Sequence, residues 1–147
     1  MIKDWINYYL DISKQVSTRS SCIRSKVGCI IVGEDKFIKS TGYNGTPSKV
    51  ISCKDKGSCH RINNNIKSGT QYETCRSIHA EQNAIIQAGI DKCKNSTIFI
   101  YGHYFVCIMC KRFIIQSGIK DIYLKQNDNS DIIHIKTEEL IEELNNE

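Results

Sequence analysis

Hydrophobic positions follow a helical spacing in the first part of the chain and a strand-like pattern in the next. Residues 3–18 place Trp5, Ile6, Tyr9 and Leu10 on one side of a helix, which predicts an amphipathic helix that covers a sheet. The continuous apolar run 27–32 predicts a buried strand. A polar turn at 34–36 and a second run at 37–43 predict an antiparallel partner for it, so the first two strands form a hairpin.

Helical and strand patterns alternate in the second half of the chain. After an irregular stretch at 44–78 we predict a helix from 79 to Gly89, a strand at 97–101, a helix from 107 to Gly118, a strand at 121–124, a last strand around Ile133 and Ile135, and an acidic helix at 137–144. Alternating strands and helices favour parallel pairing. The expected fold is therefore α/β and three-layered. Its central mixed five-stranded sheet has an antiparallel first hairpin followed by parallel strands, with helices on both faces.

Length and composition are those of an ordinary globular domain. The chain has 147 residues, of which 40% are hydrophobic and 24% are charged, and no linker is visible, so one domain spanning 1–147 is expected. No long apolar stretch marks a signal peptide or a membrane span, which predicts a cytoplasmic location. The net charge of +4 is spread along the chain, whereas a polynucleotide groove needs basic residues interleaved with aromatics. Nucleic acid is therefore a disfavoured partner.

The eight cysteines predict metal ligands more than a disulfide framework, because cytoplasmic thiols stay reduced. Two of them form Cys107-Ile108-Met109-Cys110, which follows His79-Ala80-Glu81 in the chain. One imidazole and two thiolates fill three positions on zinc and leave the fourth for water, as in catalytic sites. Glu81 is then a free carboxylate that can move protons. Either element alone is weak, since Cys-x-x-Cys is also a common structural zinc or redox element, but together they indicate a catalytic Zn²⁺ site.

These two elements resemble the signature of zinc-dependent nucleobase deaminases, His-x-Glu followed by Pro-Cys-x-x-Cys. Further strings resemble the deoxycytidylate deaminase branch of the cytidine/deoxycytidylate deaminase superfamily: Arg19-Ser20-Ser21-Cys22, Val27-Gly28, Thr41-Gly42-Tyr43-Asn44-Gly45-Thr46-Pro47, Cys75 to Ala84, and Ser117-Gly118-Ile119. The resemblance implies a cytidine deaminase-like fold and hydrolysis of dCMP to dUMP and ammonia, which supplies thymidylate synthesis. It also implies a homo-oligomer, often a hexamer, that dCTP activates and dTTP inhibits.

The chain departs from this family pattern at Val106, where the family has proline. Proline suits a helix start because its φ is fixed and no N–H is needed there. Valine can adopt the same geometry. We therefore expect a changed loop shape near the substrate, with metal binding intact.

Cys53, Cys59 and Cys75 fall in the irregular stretch 44–78, which is long enough to need something to hold it. Some relatives carry a second, structural zinc with cysteines at the positions of Cys22 and Cys53. The length of the stretch and the spacing of its cysteines, together with this resemblance, predict Cys22, Cys53, Cys59 and Cys75 as a second zinc site, with His60 as a substitute ligand. The alternative is that these cysteines are small buried residues or free surface thiols.

Two cations are candidates for the substrate phosphate. Arg24 and Lys26 flank Ser25 just before the first strand, close to where family members bind the nucleotide, and a phosphate needs only one or two such charges. The alternative is a solvated surface pair.

The resemblance also suggests contacts to the rest of the nucleotide. It implies that Asn44 contacts the sugar and that Tyr123 stacks on the base, although an asparagine before glycine is often a turn residue and a strand tyrosine often packs. The element Gly42-Tyr43-Asn44-Gly45 is shared with regulated relatives. It is expected to bind an effector nucleotide or to serve the substrate alone.

Three other functions remain open from the sequence. The chain could deaminate another cytosine nucleotide such as dCTP, or adenosine or cytidine within RNA, or it could be a zinc-stabilised interaction module without activity. The 44–78 insertion and the absence of a basic stripe count against RNA. The carboxylate at Glu81 counts against the inactive module, because a structural zinc site has no use for it.

Overall fold

The computed structural model describes residues 1–147 and contains seven α-helices and five β-strands. Their order is α1 (Trp5–Ser17), β1 (Gly28–Val32), β2 (Ile38–Tyr43), α2 (Cys53–Lys56), α3 (His60–Asn63), α4 (Ala80–Ala88), α5 (Ile90–Cys93), β3 (Thr97–Tyr101), α6 (Ile108–Ser117), β4 (Asp121–Lys125), β5 (Ile133–Lys136) and α7 (Thr137–Asn145). None of these helices combines the length and the apolar character that crossing a membrane requires.

The strands form one mixed sheet in the order β2-β1-β3-β4-β5, which confirms the predicted five-stranded sheet. Parallel pairing is confined to β3 and β4, which α6 connects, while β1 pairs antiparallel with both β2 and β3. Strand β5 returns antiparallel to β4. The short connection 126–132 explains this, because a parallel crossover needs about a dozen residues or more.

Helices cover both faces of the sheet, and the side chains of β1 alternate between two cores. One core packs beneath α1 and contains Tyr9, Leu10, Ile30, Val32 and Phe99. The other core, which includes Cys29, Ile31, Ile98 and Ile100, packs against α4 and α6. All five residues of β1 are buried, as its continuous apolar run predicts.

Helix α1 is fixed at its start and along its buried face. The Asp4 side chain accepts a hydrogen bond from the backbone N–H of Asn7, which caps the helix. The Ser13 hydroxyl donates to the carbonyl of Phe99 on β3, and the Tyr9 hydroxyl donates to the carbonyl of Lys36 after β1. These bonds anchor the helix to the sheet on the face opposite α4 and α6.

Helix α4 lies unusually close to β2. A Cβ atom on Gly42 would be 2.3 Å from the carbonyl oxygen of Ala80 and 2.6 Å from the backbone nitrogen of Ala84, so only glycine fits. The buried face of α4 is made of small residues, which allows this approach. The close packing sets where α4 begins, and therefore where His79 lies.

The stretch 44–78 contains α2, α3 and a 3₁₀ turn at Tyr72–Thr74, with no strand. Its two ends are joined to each other, and its middle is joined to the segment before β1. Gly45 and Ile78 exchange backbone hydrogen bonds of 3.2 and 2.8 Å, and Lys54 donates to the carbonyl of Ser21. The stretch therefore folds back over the start of α4.

Candidate metal centre and active site

Two helix starts meet on one face of the sheet. His79 is the N-cap of α4 and Cys107 is the N-cap of α6, and both have extended backbone conformations. The Nδ1 atom of His79 lies 3.3 Å from the sulfur of Cys107 and 3.3 Å from that of Cys110. All three donor atoms lie within 4.8 Å of one another. The predicted convergence of His79, Cys107 and Cys110 is confirmed.

The three donors share protons unequally. The hydrogen bond from the Cys110 thiol lowers the pKa of Cys107 to about 4, with further contributions from His79. The same hydrogen bond and burial raise the pKa of Cys110. Burial lowers the pKa of His79, but the neighbouring Cys107 thiolate outweighs it, so the net shift is upward. Cys110 therefore stays protonated and donates a hydrogen bond to the Cys107 thiolate. A metal cation that binds both sulfurs can take the place of this proton.

This donor set fits zinc. One imidazole nitrogen and two thiolates are ligands that zinc accepts in tetrahedral sites, and three protein ligands are the number found in catalytic sites. The Cys107 sulfur also accepts a hydrogen bond from the backbone N–H of Cys110, at the start of α6 where exposed N–H groups favour negative charge. The backbone at the start of α6 thus stabilises negative charge on the Cys107 sulfur.

Glu81 lies in the first turn of α4, beside the three donors but outside their group. Its side chain is buried, at 5% exposure, and it forms no ion pair with another residue. Its carboxylate contributes to raising the pKa of Cys110, which places the two groups close together. The start of α4 is held by Gln82, whose side chain accepts from the backbone N–H of His79. Glu81 is therefore a buried carboxylate in a fixed position.

Two of the metal donors, His79 and Cys107, line a concave region of the surface together with Glu81, and we call this region the main cavity. Tyr72 and Phe105 supply part of its wall, and the ring of Tyr72 meets that of His79 edge-on at 5.3 Å. His103 also lines the main cavity and packs edge-on against Phe105 at 5.3 Å. An aromatic wall beside a metal centre and a buried carboxylate suits a small aromatic substrate such as a nucleobase.

Comparison with known proteins agrees with this geometry. A family model described as the cytidine and deoxycytidylate deaminase zinc-binding region matches residues 3–126, which include all three donors. The chain belongs to this family. Zinc is therefore the metal that the family and the donor set both indicate.

Individual members of the deaminase family are similar over most of this chain. The deoxycytidylate deaminase of Schizosaccharomyces pombe is 35% identical over 127 residues, which cover 86% of this chain but 38% of that protein. The deoxycytidylate deaminase of Mycobacterium phage D29 is 31% identical over 124 residues, covering 81% of this chain and 92% of that protein. This chain thus spans less than half of the fission yeast relative.

A solved structure confirms the predicted fold. The dCMP deaminase of cyanophage S-TIM5, in complex with dCMP and dUMP, superposes with a TM-score of 0.59 at 27% identity and covers 84% of this chain and 83% of that one. The cytidine deaminase-like α/β architecture is therefore confirmed.

The two cations predicted to bind phosphate lie in different surroundings. Arg24 lines the main cavity, and its Nη2 donates to the carbonyl of Ile66 at 2.8 Å. Lys26 is exposed and does not line the main cavity. Its backbone carbonyl oxygen packs against Gly102, where a Cβ atom would be only 2.3 Å away. The structure brings Arg24, but not Lys26, to the candidate site.

Asn44 lines the main cavity and is 8% exposed. Its side chain accepts from the backbone N–H of Val27 and donates to the carbonyl of Ser25, both at 2.9 Å. The amide therefore fastens the segment before β1, and one of its two N–H groups stays free of these bonds. Its position is compatible with a contact to the sugar.

Tyr123 lies on the other face of the sheet. Its ring stacks on Phe99 at 5.2 Å and on His134 at 4.2 Å, and it packs against the core beneath α1. It does not line the main cavity. This position opposes the predicted stacking on a substrate base and makes Tyr123 a packing residue of the sheet.

The element predicted to bind an effector nucleotide, Gly42-Tyr43-Asn44-Gly45, makes structural contacts. Gly42 allows α4 to approach β2, and the carbonyl of Tyr43 accepts from the Asn83 side chain of α4 at 2.9 Å. Gly45 bridges to Ile78, immediately before His79. The string therefore positions the start of α4.

The second set of cysteines surrounds one region without forming an equally compact group. Burial raises the pKa of the Cys53 thiol, and the neighbouring thiols of Cys59, Cys22 and Cys75 raise it further. Three of these residues, Cys22, Cys59 and Cys75, line the main cavity. Only the first group, however, brings its donor atoms within 4.8 Å of one another. His60 is exposed, and its Nδ1 lies 3.3 Å from the Asn64 amide.

Four residues that line the main cavity were not predicted from the sequence: Arg61, Tyr72, His103 and Phe105. His103 and Phe105 lie between β3 and Cys107, the first predicted zinc cysteine. Their closeness to Cys107 in the sequence could have predicted that they lie at the site. Arg61 gave no signal, because charged residues in irregular segments are usually solvated. Val106 is 5% exposed and packs in the core beneath α4 and α6, so valine fills the place of the family proline while the donors still converge.

Proposed function

We propose that this chain is a zinc-dependent hydrolytic deaminase that converts dCMP to dUMP and ammonia. The observation that carries the proposal is the meeting of His79, Cys107 and Cys110 beside buried Glu81, at a cavity that His79, Cys107 and Glu81 line. Relatives named deoxycytidylate deaminase, one of them nearly fully covered by this chain, support dCMP as the substrate. The S-TIM5 enzyme, whose structure contains dCMP and dUMP, supports it further.

The roles of the residues follow from the reaction. Zinc, when bound, supplies a Lewis acid that makes a water molecule nucleophilic near neutral pH. Glu81 accepts a proton from the attacking water and delivers it to N3 of cytosine, which makes C4 more electrophilic. As the C4–O bond forms and the bond from C4 to the amine breaks, Glu81 transfers a second proton from the water oxygen to the amine. Ammonia leaves, and uracil remains with a carbonyl at C4 and a proton on N3.

The surroundings of Glu81 suit this work. Burial excludes bulk water, and the aromatic wall of Tyr72 and Phe105 offers an apolar surface for the base. Asn44 and Arg24 line the same cavity, which supports our assignment of Asn44 to the sugar and Arg24 to the phosphate.

The proposal includes a second zinc that holds the stretch 44–78. Its ligands would be Cys22, Cys53, Cys59 and Cys75, since the Cys53 thiol has the other three as neighbours. The Cys22 sulfur accepts from the backbone N–H groups of Arg24 and Ser25, both at 3.4 Å, and such bonds stabilise a thiolate. The four sulfurs would have to draw together around the ion, since tetrahedral Zn–S bonds of about 2.3 Å require it.

Assembly and regulation are part of the same proposal. We expect a homo-oligomer in the cytoplasm, with dCTP activating and dTTP inhibiting. Ile86, Ile90 and Phe113, on the outer sides of α4, α5 and α6, are more than half exposed and would be covered in an oligomer. All eight cysteines are free, as a reducing compartment requires. Light scattering gives the subunit number, and dCMP kinetics that change from sigmoidal to hyperbolic with dCTP would support the regulation.

The experiment that tests the activity compares substrates. Zinc-loaded protein is incubated separately with dCMP, dCTP, cytidine and a tRNA, and ammonia is followed. The proposal predicts the highest kcat/KM for dCMP. Preference for dCTP or tRNA would replace the substrate assignment, and absence of ammonia with every substrate would contradict the enzymatic function.

A further inference from the structure

His103 is the one histidine of the chain whose ring nitrogens have no hydrogen-bond partner. The chain has four histidines, and in the other three, His60, His79 and His134, a ring nitrogen lies within 3.3 Å of a polar side-chain atom. His103 is half-buried and lines the main cavity. Its ring nitrogens are not among the buried polar atoms that lack a partner, so both remain accessible to a ligand. An unbonded imidazole in the wall of a binding cavity is suited to contact the ligand.

The main chain just before His103 is held in a fixed position. Gly102 has a φ of 112°, and a Cβ atom there would be 2.3 Å from the carbonyl oxygen of Lys26. The N–H of Gly102 donates to the carbonyl of Lys125, at the end of β4, at 2.9 Å. The imidazole then packs edge-on against Phe105, which shares the cavity wall. The turn therefore presents His103 in one place without using its hydrogen-bonding atoms.

The imidazole of His103 is neutral and lies near the groups that carry the reaction. Burial lowers the pKa of His103, and the Glu81 carboxylate opposes this shift without reversing it. A neutral imidazole has one nitrogen that donates and one that accepts. His79 and Cys107 also influence this pKa, so His103 lies close to two of the metal donors as well as to Glu81. A metal cation at those donors would disfavour a charged imidazole further.

The part of the substrate nearest to these groups is the reacting edge of the base. In the proposed reaction C4 of cytosine is attacked at the metal centre, while Glu81 serves N3 and protonates the departing amine. The amino group on C4 has two N–H bonds in the substrate and three once it is ammonia. In a cavity that excludes water, an N–H bond without an acceptor is costly. A neutral imidazole nitrogen supplies such an acceptor without adding a charge.

We propose that His103 accepts a hydrogen bond from the amino group on C4 of cytosine and keeps this contact as ammonia leaves. This inference rests on the proposed function, since it adds a contact to the substrate of the same reaction. His103 exchanges no proton, because Glu81 supplies the proton that completes ammonia. The product has a carbonyl oxygen at C4, whose lone pairs face an acceptor unfavourably. His103 therefore makes the cavity prefer the substrate base over the product base.

Calorimetry with dCMP and dUMP tests this contact. The titrations use zinc-loaded protein with Glu81→Gln as the background, which should deaminate dCMP too slowly to change the ligand. His103→Leu removes the acceptor, whereas His103→Asn places an amide oxygen near the position of Nδ1 and His103→Gln places one near Nε2. Tyr104→Leu is the matched control, because Tyr104 also packs against Phe105, at 4.9 Å, but does not line the main cavity.

The expected result is a loss confined to dCMP. His103→Leu should bind dCMP roughly 3- to 10-fold more weakly, the size of one neutral hydrogen bond, and should bind dUMP at least as tightly as before. Either His103→Asn or His103→Gln should restore the preference for dCMP and so identify the accepting nitrogen. Tyr104→Leu should match the background protein. With Glu81 intact, His103→Leu should lower kcat/KM for dCMP by at least the same factor, while zinc content and product inhibition by dUMP stay unchanged.

Other results would overturn the inference in distinguishable ways. Unchanged binding of both ligands in His103→Leu would show that the contact is not made, and equal weakening of both, or failure of both amide variants to restore the preference, would assign His103 to packing of the cavity wall. Weakening of dUMP alone would make His103 a donor to the product, and loss of zinc would make it a metal ligand. If the preference for dCMP depends on His103 while the wild type releases no ammonia, the contact stands and the proposed reaction fails.

Discussion

The Nδ1 atom of His79 lies 3.3 Å from the sulfur of Cys110, although 31 residues separate the two in the chain. Each lies at the N-terminal end of a helix on the same face of the sheet, one on α4 and the other on α6. The distance therefore depends on how β2 and α4 pack, and any change that moves either helix start should reach the metal centre.

Gly42→Ala tests this dependence. The new Cβ would lie 2.3 Å from the backbone carbonyl oxygen of Ala80, so α4 must move away from β2. We expect the free energy of unfolding to fall by roughly 1–3 kcal/mol, as overpacking usually costs, and zinc affinity to fall with it. Urea unfolding and competition with a zinc chelator measure the two effects.

Gly45→Ala is the matched control, because it alters the other glycine of the same motif. Its Cβ would be 3.1 Å from the Ser21 hydroxyl, which can rotate away. We expect a smaller loss of stability. Equal stability of Gly42→Ala and the wild type would show that the β2–α4 contact does not set the position of the helix.

Zinc content tests the assignment of the two cysteine groups. Metal analysis of the wild type should find two zinc ions per chain. Cys110→Ser should retain one and be inactive, whereas Cys53→Ser should retain one, keep measurable activity and unfold at lower urea concentration. Cys93→Ser, at a buried cysteine of α5 outside both groups, should keep both ions. One zinc in the wild type and in Cys53→Ser would remove the second site.

Asp128 should make the stability of the fold depend on pH. Hydrogen bonds from Lys14 of α1 and Tyr101 of β3 lower the pKa of its carboxyl. Burial and this carboxylate raise the pKa of Tyr101 to about 12. A lowered carboxyl pKa adds stability that is complete above the ordinary value of 3.8 and is lost as the pH falls through the lowered value.

The measurement compares Asp128→Asn with the wild type at two pH values. The wild type should be more stable at pH 7, and the difference should disappear once the pH has fallen below the lowered pKa of Asp128, where the carboxyl is protonated. Asp131→Asn, at an exposed acid of the same connection without an ion pair, should match the wild type at both. A difference that persists in acid would assign the effect of Asp128 to packing.

The sequence predicted the local features of the site well, because local contacts produce them. The change to helical periodicity predicts that helices start at 79 and 107. The glycines at Gly89 and Gly118 predict where these helices end. The choice of His79, Cys107 and Cys110 as donors followed from ligand chemistry, and the structure brings these three close enough to hold a metal ion. Parallel pairing was predicted for more strands than the one pair, β3 and β4, that shows it. Strand direction depends on which strands become neighbours in the whole sheet, and local sequence patterns do not determine that.

Two positions show where sequence reasoning stopped. Ile122 and Leu124 are buried against α4 and α6, so the two-residue period of a strand already places Tyr123 on the opposite face, and this signal was not used. Arg61 is different. Its burial depends on carbonyls of the segment 67–71 folding back over it, a non-local arrangement that no pattern in the sequence announces.

Glu81→Gln tests the central claim most directly, because glutamine keeps the shape of the side chain and cannot accept the proton. Ammonia release from dCMP is measured at equal zinc content for the wild type, Glu81→Gln and the control Glu73→Gln, which alters an exposed acid near the cavity. We predict that Glu81→Gln retains zinc and stability but loses roughly 10²- to 10⁴-fold in kcat, while Glu73→Gln is unchanged. Undiminished ammonia release from Glu81→Gln would contradict the account.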